Sequence, residues 1–324
     1  MTRILLIGPL TRDFIFYPGQ PPRLEIPGGR ALYAAAGAIL WEKALALVSQ
    51  VGSDYPAAWK TLLEEHGLDV GGIRQLDHPI ESRAVYSYDD ELRPAFPLVR
   101  ACLRAGLPFP VALLGYQAEK DASLPTSFPV FDLPASHQQA EAAYLCAMPA
   151  ENLHQWIAYL YTHQVRRLVA TFPSLEKIPP APLPLLASLE GLEVLLIHEK
   201  DLRALFWGVS ADIHEMAMLA GKIISHILIH FPARRCLLYS AHTSSFWEIP
   251  AYPGHLFPIG IEEAFGGGFL AGLLHTSDPL QAALHGAISA AFKSESLEPF
   301  YNWGVLPALA HARLEYLRLL THSL

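Results

Sequence analysis

Short apolar runs separated by helix-length segments recur from one end of this 324-residue chain to the other, a pattern that admits few folds. The runs Ile4–Ile7, Ala44–Ser49, Val111–Leu114, Ala143–Cys146, Leu168–Thr171, Val194–Ile197, Ile227–His230 and Cys236–Tyr239 read as strands buried on both faces. Between and after them, Arg30–Trp41, Tyr55–His66, Asn152–His163, Ile213–Lys222, Ala264–His275, Pro279–Phe292 and Pro307–Leu320 read as helices. Strand–helix alternation continued to the end predicts a doubly wound α/β domain, a parallel sheet with helices on both faces. Two segments, Arg12–Ile26 and roughly Ile73–Pro97, alternate polar with apolar residues and carry Pro and Gly. They are expected to leave the main sheet and pair as a small flap. No tandem repeat or linker composition divides the chain, so residues 1–324 are expected to form a single domain.

A hydrophobic fraction of 52% against 17% charged residues supplies a large core and excludes disorder. The net charge of −8, with no basic stripe, argues against nucleic acid as a partner. Cys102, Cys146 and Cys236 are odd in number, far apart and outside any CxxC pair, which favours a reducing, cytoplasmic compartment over a disulfide framework or thiolate zinc site. No uncharged stretch approaches the ~20 residues of a membrane span, so no membrane association is expected.

Four places carry candidate chemistry. Gly8 through Asp13 ends the first strand, where open α/β sheets hold ligands, and Asp13 either accepts hydrogen bonds from ligand hydroxyls or caps a turn. Gly28-Gly29 before an Ala-rich helix permits close backbone approach to a ligand, although Gly pairs also mark ordinary turns. Gly260-Ile261-Glu262-Glu263 leads into Ala264-Phe265-Gly266-Gly267-Gly268, a loop entering a helix. Helix N-termini suit phosphate, yet two carboxylates stand there, so a catalytic base fits better than a phosphate cradle. The bland reading of Glu262 and Glu263 is complementation of the macrodipole, and of the glycines, helix packing. His226 and His230 lie four apart, but on a segment that reads as a strand and without evident metal partners. No GxSxG, HExxH, Walker A or GxGxxG signature is present.

In order and spacing these pieces resemble the ribokinase-like (PfkB) carbohydrate kinase family over nearly the whole chain. The likeness runs from Ile4–Gly8 through Asp13 and Gly28-Gly29, then Val51-Gly52-Ser53-Asp54 and Leu62–Asp69, to Glu263-Ala264-Phe265-Gly266-Gly267-Gly268-Phe269-Leu270. The resemblance implies a large α/β sandwich with a β-strand lid, and ATP- and Mg2+-dependent phosphorylation of a hydroxyl on a sugar or nucleoside. It places Asp13, Gly28, Gly29 and Tyr33 toward the acceptor, Glu263 as general base, and the backbone from Gly260 through Ile261 and Glu262 as the anion hole. Lid strands in this family can pair between subunits, which makes a homodimer through the lid the expected assembly.

The departures from the family pattern fall on the chemistry. Its GAGD reads Gly260-Ile261-Glu262-Glu263, lengthening the base by a methylene and putting a carboxylate where a phosphoryl group is to be held. In the nucleotide strand and turn, His230-Phe231-Pro232-Ala233-Arg234-Arg235 replaces glycines with Pro and Arg, and Arg234 or Arg235 becomes a candidate phosphate ligand. The family's N-x-x-E reads His198-Glu199-Lys200-Asp201, leaving Asp201 as a weak metal candidate. Tyr33 stands where an acceptor-side asparagine is expected. Two readings follow: a divergent kinase, or a non-catalytic descendant that binds a small molecule or a partner.

Overall fold

A computed structural model of the protein describes residues 2–91, 93–94, 97–116, 128–172, 182–232, 235–252 and 257–323. The chain opens with β1 (Ile4–Ile7), then β2 (Thr11–Phe16), β3 (Arg23–Gly28), α1 (Arg30–Ala38), β4 (Leu45–Val51), α2 (Ala57–Glu65), β5 (Asp69–Gln75), β6 (Arg83–Ser87) and α3 (Leu98–Arg104). A 3-10 turn at Val111–Leu113 follows, then β7 (Ala142–Leu145), α4 (Ala150–Thr162), β8 (Arg167–Thr171), α5 (Pro182–Ala187), β9 (Val194–His198), α6 (Glu199–Leu205) and α7 (Ile213–Ala220). The C-terminal part holds β10 (His226–His230), β11 (Cys236–Ser240), β12 (Ser245–Ile249), α8 (Ile261–Thr276), α9 (Pro279–Lys293), α10 (Pro307–Leu320) and β13 (His322–Ser323).

A 10-stranded sheet runs in the order β13-β12-β11-β10-β9-β8-β7-β1-β4-β5, parallel from β5 to β10 and antiparallel beyond it. The strand period of two explains its double core. Ile4 and Leu6 face one way, with α1, α8, α9 and α10. Leu5 and Ile7 face the other, where Leu153 and Trp156 of α4 and Met216 of α7 pack. All four of those β1 residues are fully buried, as the uninterrupted apolar run requires. Helix α8 is apolar almost all round because it lies against α1, α9 and the sheet at once. Its contact with α1 is so close that a Cβ on Gly37 would lie 1.8 Å from the Ala264 carbonyl oxygen, and one on Gly267 1.9 Å from that of Ala34.

The flap is a separate three-stranded sheet, order β3-β2-β6. Ile15, Tyr17, Ile26, Tyr86 and Tyr88 turn toward the main body. Phe14 and Phe16 turn outward and are covered by Leu98, Ala101 and Cys102 of α3 and by Leu113.

Three expectations change. Val111–Leu114 is not a strand: Pro110 leads it into a 3-10 turn, and only Leu113 is buried while Val111 is 80% exposed. The second flap segment begins later than residue 73, because Ile73–Gln75 pairs with Ser49–Val51 inside the main sheet. The βα rhythm also stops at β10, which turns straight into antiparallel β11 and β12.

Candidate active site

The carboxyl ends of β9 and β10 and the N-terminus of α8 converge on one groove, the place where α/β sheets hold ligands. His198 closes β9 and stands opposite His230 at the end of β10 in parallel register. Helix α8 starts after Gly260, whose φ of 71° puts it in the left-handed region. A side chain at that position would also run into the Tyr33 ring, 2.4 Å from its Cβ. Glu262 and Glu263 then fall in the first turn of α8.

Those two acids have different partners. Glu262, with a side chain 53% exposed, sets Oε2 2.9 Å from Nε2 of His198. Hydrogen bonding to Glu262 holds His198 above the ordinary imidazole range. Burial pushes the Glu262 carboxyl up, but the His198 hydrogen bond and charge outweigh it and leave the group below its ordinary value. Glu263 is more enclosed, at 19%, with Oε1 3.6 Å from Nε of Arg30. Burial raises it, Arg30 partly offsets that, and Glu262 adds to it. A carboxylate raised toward neutrality is a better proton acceptor for a hydroxyl than one at its ordinary value.

The groove beside these acids has a volume of about 160 Å³, lined by His198, His230 and Glu262 at its polar end and by Tyr252, Ile261, Phe265 and Ala290 among its apolar residues. His230 stands edge-on to Phe265 with ring centroids 4.7 Å apart, and its Nδ1 lies 3.4 Å from Cys236 Sγ. Burial drives its imidazole down to about 4, so it is neutral at pH 7. Such a lining suits a flat heteroaromatic ring better than a highly charged group.

On the flap side, Asp13 is fully buried. Tyr33 donates its hydroxyl to Oδ2 of Asp13 at 2.5 Å, and the Thr11 hydroxyl donates to Oδ1. Burial lifts Asp13 to about 6, against the lowering effects of Thr11, Tyr33 and Lys293. Gly28 is pressed against this carboxyl, and Gly29 (φ 103°) carries the chain into α1, where Arg30 and Tyr33 stand.

The structure thus sets Ile261, Glu262 and His230 in the lining of one groove. Gly260 and Glu263 stand beside them at the start of α8 but outside that lining. Asp13, Gly28, Gly29 and Tyr33 form a packed cluster whose electrostatics include Glu263. Asp201 is buried in the first turn of α6, three residues after His198. Arg235 is not among the residues lining the groove: Nη1 donates to Glu248 Oε1 at 3.0 Å and the guanidinium stacks on Phe231. Arg234 lies outside the described residues. Arg30, Lys293 and Thr11 were not singled out from sequence. The available signal for Lys293 was a lone cation ending the apolar run Ala290-Ala291-Phe292.

No family model matches the chain. It is 24% identical over 310 residues to a cytidine kinase of Thermococcus kodakarensis, covering 94% of this chain and 99% of that protein. Its structure resembles that of a fructokinase with bound ATP from Xylella fastidiosa, with a TM-score of 0.71, 16% identity and coverage of 97% of this chain and 98% of that one. It also resembles a nucleoside kinase of Methanocaldococcus jannaschii, an archaeal member of the ribokinase family, with a TM-score of 0.66, 16% identity and coverage of 98% and 99%.

Proposed function

The chain has the ribokinase-like fold, and from that premise we propose that it is a divergent small-molecule kinase whose groove takes ATP and whose phosphoryl transfer its own side chains hold back. The observation that carries this reading is Glu263, a partly enclosed carboxyl with a raised proton affinity in the first turn of α8, directly after Ile261 and Glu262, which line the groove. In the reaction, Glu263 takes the proton of an acceptor hydroxyl, that oxygen bonds to the γ-phosphorus, and ADP leaves. The acceptor class is a sugar or nucleoside, in keeping with the fructokinase and nucleoside kinase likenesses.

Among the described residues no group of three or more His, Cys, Asp or Glu is gathered to hold a metal ion by itself. Magnesium does not need one, since it takes one or two carboxylates and completes its shell with water and phosphate oxygens. Asp201 is a hard oxygen donor of that type, and its charge acts on His198. When bound, the ion would neutralise charge on the nucleotide phosphates.

A second reading, a non-catalytic nucleotide-binding protein, is favoured by the His198–Glu262 pair, which sets a negative charge at the helix terminus where phosphate is to sit. A turnover assay with Mg·ATP and a panel of sugars and nucleosides separates the two. Slow acceptor-dependent ADP release by the native protein supports the kinase reading. Turnover that appears only in His198→Asn/Glu262→Gly supports the second.

No helix among the described residues is long and apolar enough to cross a membrane. The three cysteines are buried and form no disulfide with one another, in keeping with a cytoplasmic setting. A second copy pairing through the lid would use the edges of β3 and β6, because α3 and the 3-10 turn cover its outer face.

A further inference from the structure

We infer that the ring of Tyr33 is a built-in plug of the acceptor chamber, one that excludes a furanose diol until it is displaced or removed. The inference deepens the kinase reading by identifying what controls its acceptor side. Three observations carry it. First, Asp13 is 0% exposed and each of its carboxylate oxygens already accepts a hydroxyl, from Tyr33 and from Thr11. Two hydroxyls on one carboxylate are what a vicinal diol would offer, so the protein supplies the ligand's hydrogen bonds itself. Second, the Tyr33 ring is enclosed by Ile15, Ile259 and Leu297, and Nζ of the fully buried Lys293 sits over it, 5.1 Å from the centroid. Third, the two glycines that bound the chamber have no space to spare. A Cβ on Gly28 would lie 2.1 Å from the Asp13 carboxyl, and one on Gly260 2.4 Å from the Tyr33 ring.

A polyol therefore finds both Asp13 oxygens already engaged and the space beside them filled by the Tyr33 ring. Entering would return an aromatic side chain to water and exchange the Tyr33 hydroxyl on Asp13 for one of the ligand's, with no gain in hydrogen bonding.

The test is isothermal titration of native protein, Tyr33→Ala, Tyr33→Asn and Tyr33→Phe with ribose, fructose and cytidine, with Mg·ADP titrated in parallel. Native protein and Tyr33→Phe are expected to give no polyol heat, since both keep the ring. Tyr33→Ala and Tyr33→Asn are expected to bind at least one of the three about tenfold or more tightly than native, the worth of one hydrogen bond to a charged group. Folded Ala and Asn variants that gain nothing overturn the plug. So does a polyol response in Tyr33→Phe equal to that in Tyr33→Asn, because the ring would then be no barrier. If the smaller variants do not fold, the native chain still decides: polyol binding that is lost in Asp13→Asn shows an open chamber and overturns the inference, whereas silence in native and Tyr33→Phe supports it. Absence of any Mg·ADP response counts against the kinase reading alone, since polyol binding is read without nucleotide.

Discussion

His198 and Glu262 face each other across the groove, Nε2 to Oε2 at 2.9 Å, and so join the end of β9 to the first turn of α8. In sequence these were two separate departures from a kinase pattern; in space they are one ion pair. Its stability contribution has a definite pH window. His198 is raised above its ordinary 6.5, so its share is complete below that value and is lost as pH climbs through the raised folded value. Glu262 is lowered below its ordinary 4.5, so its share is complete above that value and is lost as pH falls through the lowered one. Between these limits the pair is intact. Because both side chains are partly exposed, we expect only ~0.2–1 kcal/mol, or about 0.3–1.5 °C in Tm for a chain of this length. The difference in Tm between native and His198→Asn should be greatest from mildly acidic to neutral pH and shrink at alkaline pH. A difference independent of pH would contradict the pairing.

Neutralising the carboxylate should favour phosphate. Glu262→Gly and Glu262→Gln are expected to bind Mg·ATP ~10-fold or more tightly than native, since unit charges ~4 Å apart interact by about 4 kcal/mol near a protein surface before salt screening. Adenosine lacks the charge and should bind all three proteins alike. Titration of both ligands checks this, and an equal gain for adenosine would mean that the substitutions merely widened the groove.

For Glu263 the expectation concerns rate and not affinity. Glu263→Gln should lower acceptor-dependent turnover by about 10²–10⁴-fold, the usual worth of a general base, while the Kd for Mg·ADP changes little. Steady-state assay with parallel titration reads both quantities. Unchanged kcat would remove Glu263 from the mechanism.

The glycines of α8 serve packing. Beyond the α1–α8 contact at Gly267, a Cβ on Gly266 would meet the Tyr144 hydroxyl at 2.2 Å and one on Gly268 the Ser289 hydroxyl at 2.1 Å. At Gly267 the obstacle is backbone, which no rotamer change relieves. Gly267→Ala should cost at least ~1–3 kcal/mol by overpacking, despite a gain of up to ~1 kcal/mol in helix propensity. Urea denaturation measures it; a variant as stable as native would show that α1 and α8 separate easily.

Much of the fold was legible because buried parallel strands are continuous apolar runs: Ile4–Ile7, Val194–Ile197 and Ile227–His230 coincide with β1, β9 and β10 within a residue or two. Val111–Leu114 shows the limit of that signal. Four apolar residues after a proline also make a 3-10 turn that buries one of them, and periodicity over so short a run does not separate the cases. Strands β5 and β12 escaped notice because both sit near the sheet edge with exposed or half-exposed faces and no apolar run. At the candidate site, local motifs singled out Glu262, Glu263 and Asp13, and the family resemblance singled out Tyr33. What each touches was not legible, since His198–Glu262 and Tyr33–Asp13 are contacts between distant segments. For Lys293 the one signal, a lone cation ending an apolar run, points the wrong way: a lysine there ordinarily reaches solvent, and here it is fully buried.

Asp13 makes the last prediction, because its burial has a thermodynamic sign. Its folded value is raised from 3.8 to about 6, so its contribution to stability is present in full below 3.8 and is lost as pH rises through about 6. Two histidines of β10 act in the opposite sense over that window: His226 and His230 are both lowered to about 4, and stability gains as pH rises and they become neutral in the unfolded chain too. Lys293, lowered to about 8, stays charged throughout and does not confuse the comparison. Native protein alone therefore gives a mixed slope, and the informative quantity is the difference from Asp13→Asn, which keeps the shape and one acceptor oxygen but does not titrate. From pH 4 to pH 6.5 the native protein should lose on the order of 2–3 kcal/mol relative to that variant. Urea midpoints at half-unit pH steps provide the measurement. A flat difference would mean that Asp13 ionises in the folded chain as it does in the unfolded one, and that water reaches the carboxyl which Tyr33 and Thr11 enclose.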